Sequence, residues 1–143
     1  MEIKTLDAVL SYWQLALVPE QMPVEIANVG RDALAGLFAH LGFTRGAEIG
    51  VAEGEFAAIL CKGNPDLHLL CVDPWRVLPD FGSRSSQAEW DVIHATAIAR
   101  LVPYGVEFLR ETSMDALAHV QDASLDFVYI DANHDYRAVK DDM

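Results

Sequence analysis

The spacing of apolar residues changes near residue 45. Before it, Leu6, Val9, Leu10, Trp13 and Leu17 recur at helical intervals, which predicts an amphipathic helix over 5–17. Pro19 and Pro23 break that pattern. Leu34, Leu37, Phe38 and Leu41 then share one face of a second helix, with Gly42 as its stop. After residue 45, short apolar runs end at Gly50, Asp73, Leu109 and Asp131 and read as strands. Helical stretches follow them over 55–62, 86–101, 113–121 and from 135 onward. Ser86-x-x-Glu89 and Thr112-x-x-Asp115 have capping-box form and support two of those starts. Strand alternating with helix predicts an α/β fold on a mostly parallel sheet with right-handed crossovers. The expected organisation is an N-terminal helical cap over 1–43 and a sheet-bearing domain over 44–143.

Composition narrows this picture without redrawing it. The chain has 143 residues, one domain's worth, and its 52% apolar content suits a globular core. A formal charge of −12 repels phosphate backbones, so no nucleic-acid partner is expected. Cys61 and Cys71 sit in apolar stretches without metal-type spacing and read as buried reduced thiols. Glu2, Lys4 and Asp7 interrupt any signal-like apolar opening, and no run reaches membrane-spanning length. A cytoplasmic protein that makes no membrane contact is the expectation.

The chemistry concentrates at Ala47-Glu48-Ile49-Gly50-Val51-Ala52-Glu53-Gly54, where a strand turns into a helix. A glycine at a strand exit lets backbone approach a ligand, because no Cβ intervenes. The next helix directs its free N–H groups and positive end toward that ligand. Asp73, at the tip of the following apolar run, is placed to accept the hydroxyls of a ribose. The dinucleotide fingerprint requires glycine where Ala52 stands, and Glu48 precedes the turn. Both features disfavour a pyrophosphate and suit a ligand carrying positive charge.

Glu48-x-Gly50-x-x-x-Gly54 with Asp73 resembles the class I S-adenosylmethionine-dependent methyltransferases. Val72-Asp73-Pro74-Trp75 and Tyr129-Ile130-Asp131-Ala132-Asn133-His134-Asp135-Tyr136 are similar to a subgroup of O-methyltransferases acting on sugars and natural products. The resemblance covers roughly 44–143 and implies a Rossmann-like three-layer sandwich. It also implies S-adenosylmethionine as cofactor, with Glu48, Gly50, Ala52 and Gly54 at its methionine part and Asp73 at its ribose. Trp75 is then either beside the adenine or simply packed, and Ser113, with Thr112 and Met114, falls at the adenine level. Asp131 ends the fourth strand at the ligand edge, close to cofactor and acceptor. Acids there ligate a divalent metal such as Mg in related enzymes, and a metal would acidify an acceptor hydroxyl. His134 is the candidate general base. His94, on the stripe of Trp90, Ile93, Ala97 and Leu101, reads as structural, and Phe81 lies in an ordinary loop.

The leading expectation is methyl transfer to an oxygen of a small polar acceptor. A nicotinamide-dependent oxidoreductase is the first rival, and a non-catalytic assembly module the second. The resemblance implies seven strands where four are visible, so the chain reads as truncated at its C-terminal side. An uncovered fourth strand invites association with a second copy.

Overall fold

A computed structural model describes residues 5–16, 23, 25–78, 86–133, 139–140 and 142–143. Helix α1 (Thr5–Tyr12) is shorter than the 5–17 expected. Its end is a Schellman closure: Leu15 N–H donates to Leu10 O at 2.8 Å, and Gln14 N–H to Ser11 O at 3.2 Å. Gln14 takes the left-handed backbone this closure needs, at φ 55. Leu17 lies outside the described residues. Helix α2 (Ala33–His40) closes in the same way at Gly42, with Phe43 N–H on Phe38 O at 3.0 Å and the two rings 5.7 Å apart.

Four parallel strands follow: β1 (Arg45–Ile49), β2 (His68–Val72), β3 (Glu107–Leu109) and β4 (Phe127–Ile130), in the spatial order β3-β2-β1-β4. The order reverses between β1 and β4. At such a switch point the connections leave in opposite directions and open a crevice beyond the carboxyl ends of the strands. The α/β, Rossmann-like expectation is met in this all-parallel sheet.

Helix α3 (Glu55–Gly63) joins β1 to β2, and α4 (Gln87–Leu101) joins β2 to β3. Both connections step the same way, so right-handed crossover puts both helices on one face, where they pack together. The side chains pointing to that face include Leu69, Cys71, Phe108, Phe127 and Tyr129. With Phe56, Leu60, Trp75, Ala97 and Leu101 they build the core. Helix α2 belongs to this packing too: Ala35 is in the core, and Phe38 stacks on Phe127 at 4.2 Å.

The Ser86 capping box at α4 is complete, its backbone N–H on Glu89 Oε2 at 2.6 Å and its hydroxyl receiving Glu89 N–H at 3.3 Å. The helix expected over 113–121 is interrupted. Helix α5 (Ser113–Ala116) is capped by Thr112 but gives way to a 3-10 turn at Leu117–His119. Only Ala116 is buried there, and a segment with so little tertiary packing cannot sustain more turns. The helix expected from 135 falls largely on residues outside those described.

Candidate functional site

The turn after β1 is shaped by the chain's own backbone. Gly50 extends the β1–β2 ladder, its N–H on Val72 O at 2.9 Å, and has φ +87. A Cβ at Gly50 would lie 2.5 Å from both Ala132 Cα and Asp131 O. At Gly54 a Cβ would come within 2.7 Å of Leu101 Cδ1, where α4 crosses the start of α3. The space a Cβ would need at the two glycines is taken by the β4 exit and by α4, because parallel strands and a crossing helix converge there.

Asp73 holds the turn in place. Its Oδ2 accepts the N–H groups of Val51 and Ala52, each at 3.0 Å, and its Oδ1 accepts Trp75 N–H at 2.8 Å. The Trp75 indole N–H donates to Ala52 O at 2.9 Å. Ala52 is thereby fixed from both sides in a left-handed conformation, φ 47, that costs an alanine about 1 kcal/mol. Trp75 is completely buried, 4.6 Å from the His94 ring and 6.2 Å from Phe108. Of the two readings of Trp75 the structure takes packing over adenine contact: the residue anchors the turn from within the core. His94 is structural, as expected, and burial lowers its pKa.

A cavity of about 1020 Å³ opens beyond the carboxyl ends of the strands. Gly50, Ala52, Asp73, Ser113 and Asp131 line it, so five of the expected site residues come together. Ile49, Val72 and Met114 supply apolar wall, and Trp90 provides the aromatic surface that Trp75 does not. The sequence placed Trp90 on an apolar stripe; it packs against the core as expected and, from the first turn of α4, also reaches the cavity wall. Ser113 donates its hydroxyl to Asp142, and Thr112 is the α5 cap. A smaller cavity of about 350 Å³ lies toward the amino ends of the strands, between Arg45, His68 and Glu107, away from this chemistry.

Glu48 stands behind the turn and is 2% exposed. Its Oε2 finds no hydrogen-bond partner among the described residues. Burial pushes its carboxyl up to about 8, reinforced by the charges of Asp131 and Asp73 and opposed by Arg31. Burial also raises the thiols of Cys61, to about 11, and of Cys71, which pairs with Glu48 across β1–β2. Both cysteines are buried and free.

Because Glu48 binds its proton more tightly folded than unfolded, it favours the folded state most at low pH. That contribution is lost as pH rises from the ordinary carboxylate range through about 8, at up to ~1.4 kcal/mol per pH unit. Glu48→Gln is expected to flatten this slope in urea titrations between pH 5 and pH 9, estimated from the same linkage. An unchanged slope would mean that Glu48 is ionised throughout.

Arg31 had no signal in the sequence. It lies 100 positions from Asp131, yet its Nη1 meets Asp131 Oδ2 at 2.7 Å. The guanidinium sits 5.1 Å from the Phe56 ring centre and interacts with the Tyr129 side chain, which raises its pKa. The surroundings of Asp131 give the metal expectation no support among the described residues. Arg31 occupies the carboxylate, and among the described residues no three His, Cys, Asp or Glu side chains cluster to hold an ion. His134 and Asp135 lie outside the described residues, as does Phe81.

The methyltransferase-domain profile matches residues 47–143, from the middle of β1 onward. The chain belongs to the methyltransferase-domain family. Among solved structures it is similar to the S-adenosylhomocysteine-bound methyltransferase PaMTH1 of Podospora anserina, at 18% identity and a TM-score of 0.55, over 94% of this chain and 55% of that one. It is also similar to the O-methyltransferase TomG of Streptomyces achromogenes, which acts in tomaymycin synthesis and was solved with S-adenosylmethionine, at 20% identity and a TM-score of 0.51, over 92% and 54%. No curated protein matches by sequence. This methyltransferase domain spans about half the length of those solved chains. The family match leaves the nicotinamide reading without support.

Proposed function

We propose that this domain binds S-adenosylmethionine in the switch-point cavity and serves methyl transfer to an oxygen of a small polar acceptor. The observation that carries the reading is the buried Glu48 carboxyl, whose Oε2 has no hydrogen-bond partner among the described residues, behind a cavity lined by Gly50 and Ala52 of the turn. A buried carboxyl without a hydrogen-bond partner is costly, and a cationic ligand group such as the cofactor's ammonium offsets that cost. Asp73 would receive a ribose hydroxyl through the one lone-pair site its three backbone donors leave over. The apolar walls of Ile49, Val72 and Met114 and the ring of Trp90 suit an adenine.

The reaction would be in-line displacement at the sulfonium methyl, driven mainly by positioning. A divalent ion at Asp131 would compete with Arg31 for the carboxylate and need further oxygen ligands, so no step is routed through a metal. His134 is assigned as the base that takes the acceptor proton. Free, buried thiols fit a cytoplasmic setting, and among the described residues no helix is long and apolar enough to cross a membrane.

Calorimetry of the full-length protein with S-adenosylhomocysteine is expected to show micromolar binding. A folded sample that takes up neither this ligand nor S-adenosylmethionine would reject the reading in favour of an assembly module.

A further inference from the structure

Trp75 adopts a backbone conformation that its residue type rarely takes. Its φ is 40, in the left-handed region, an outlier for a bulky side chain. Such strain persists only where surrounding contacts over-determine it, and it gathers at sites that hold ligands. All three polar groups of Trp75 are engaged. The backbone N–H is on Asp73, and the indole N–H is on the carbonyl of Ala52, itself left-handed. The Trp75 carbonyl accepts Arg110 Nη2 at 2.9 Å and Gln87 Nε2 at 3.2 Å. We propose that Arg110 is a positioning residue of the site, holding the β2-exit loop and the start of α4 in the arrangement that receives the cofactor's nucleoside. The inference rests on the cofactor reading and adds to it a residue that acts from behind the cavity wall.

Arg110 directly follows β3 and reaches two other elements at once. Its Nη2 also meets Asp91 Oδ1 at 2.8 Å. Gln87 Nε2 repeats both contacts, with Asp91 Oδ1 at 2.9 Å, and its Oε1 accepts Val77 N–H at 3.2 Å. The exits of β2 and β3 and the first turns of α4 are thus clasped together at one carbonyl and one carboxylate. Along the loop, Pro74, Arg76 and Leu78 line the cavity, and the residues between them, Trp75 and Val77, are the ones clasped. On α4, Trp90 lines the cavity from between Gln87 and Asp91. Without Arg110 the Trp75 carbonyl and Asp91 would be left to Gln87, a neutral donor weaker than a guanidinium. A wall fixed before the ligand arrives spares binding the cost of ordering it.

The ligands that test this are S-adenosylhomocysteine and 5′-methylthioadenosine, which keeps the nucleoside and thioether and lacks the amino-acid end. Both are titrated into the full-length protein and its Arg110→Met and Arg110→Lys variants, with melting curves alongside. Arg110→Met is expected to weaken both ligands by the same factor, about tenfold, on the order of one charge-assisted contact. Arg110→Lys keeps the charge but not the fork, and should recover part of the loss for both. The melting temperature should move little, because the half-exposed pair with Asp91 stabilises weakly. A lowered melting temperature with unchanged affinities would reveal a merely structural role and overturn the proposal. A loss confined to S-adenosylhomocysteine would overturn it too, since the clasp backs the nucleoside wall and both ligands carry the nucleoside. If Arg110→Met does not fold, Arg110→Lys decides by the same comparison: an equal loss for both ligands supports the proposal, and unchanged affinities reject it. Failure of the unaltered protein to bind either ligand rejects the cofactor reading itself, and the inference with it.

Discussion

Gly50→Ala is expected to destabilise the protein by about 2–5 kcal/mol, a large share of a small domain's stability. Two costs combine. An alanine at φ +87 carries left-handed strain of about 1–2 kcal/mol. Its Cβ would also meet Ala132 Cα and Asp131 O at 2.5 Å and Ala132 N at 2.7 Å. Those are backbone atoms just beyond a strand in register with β1, Ile49 opposite Ile130, so relief requires parting β4 from β1. Overpacking of that kind adds about 1–3 kcal/mol. Gly105→Ala is the control, with φ +66 but nothing within 4 Å of a Cβ, and should show the strain alone. Urea unfolding of the two variants beside the unaltered protein measures the difference. Equal midpoints would show that the β4 exit moves aside and that the crowding at Gly50 carries no weight.

Asp73→Ala is expected to cost both stability and cofactor. The carboxylate accepts three backbone N–H groups, two of them at buried Val51 and Trp75, and all three lose their acceptor at once. Each unsatisfied donor costs about 1–3 kcal/mol, and with partial rescue by water the sum is about 3–5 kcal/mol. The turn that forms the cavity wall is released with it, so S-adenosylhomocysteine affinity should fall by about a hundredfold or more. Asp73→Asn separates the charge from the contacts. Its amide nitrogen must face a backbone donor on one side or the other, so it should lose about 1–3 kcal/mol and keep part of the binding. Chemical unfolding and calorimetry on the same samples give both quantities. If Asp73→Ala melts normally yet loses the ligand, the acid is a ribose contact and not a support.

That distinction shows where sequence reasoning reaches its limit. The turn at 47–54 and the acid at 73 were legible because strand-to-helix transitions leave a local record: an apolar run, a glycine, then a helical period. Their joint position at the cavity followed from the alternation of elements and is present in the structure. The reason for each residue was less legible. Gly50 makes room for Ala132, Gly54 for Leu101, and Trp75 anchors Ala52 from inside, all through partners far along the chain. A single sequence records that a glycine or a tryptophan is there, not what approaches it.

The two partners with the largest separation show the same limit. Arg31 precedes α2 in a stretch without periodic pattern, and only the packing of α2 against α3 and Phe127 carries it to Asp131. Trp90 reads as core by its helical spacing and packs there, and only the tertiary structure shows that it also forms cavity wall.

The amino-acid sequence by itself determined the order of elements, the parallel sheet and the strand-to-helix turn at 47–54, because periodicity, caps and strand exits are properties of neighbouring residues. Only the tertiary structure decided that Glu48 is buried with its Oε2 unpartnered among the described residues, that Asp73 braces the turn, and that Arg31 meets Asp131. Those are matters of burial and of charge at a few ångströms, and they exist only once distant segments have been packed against one another.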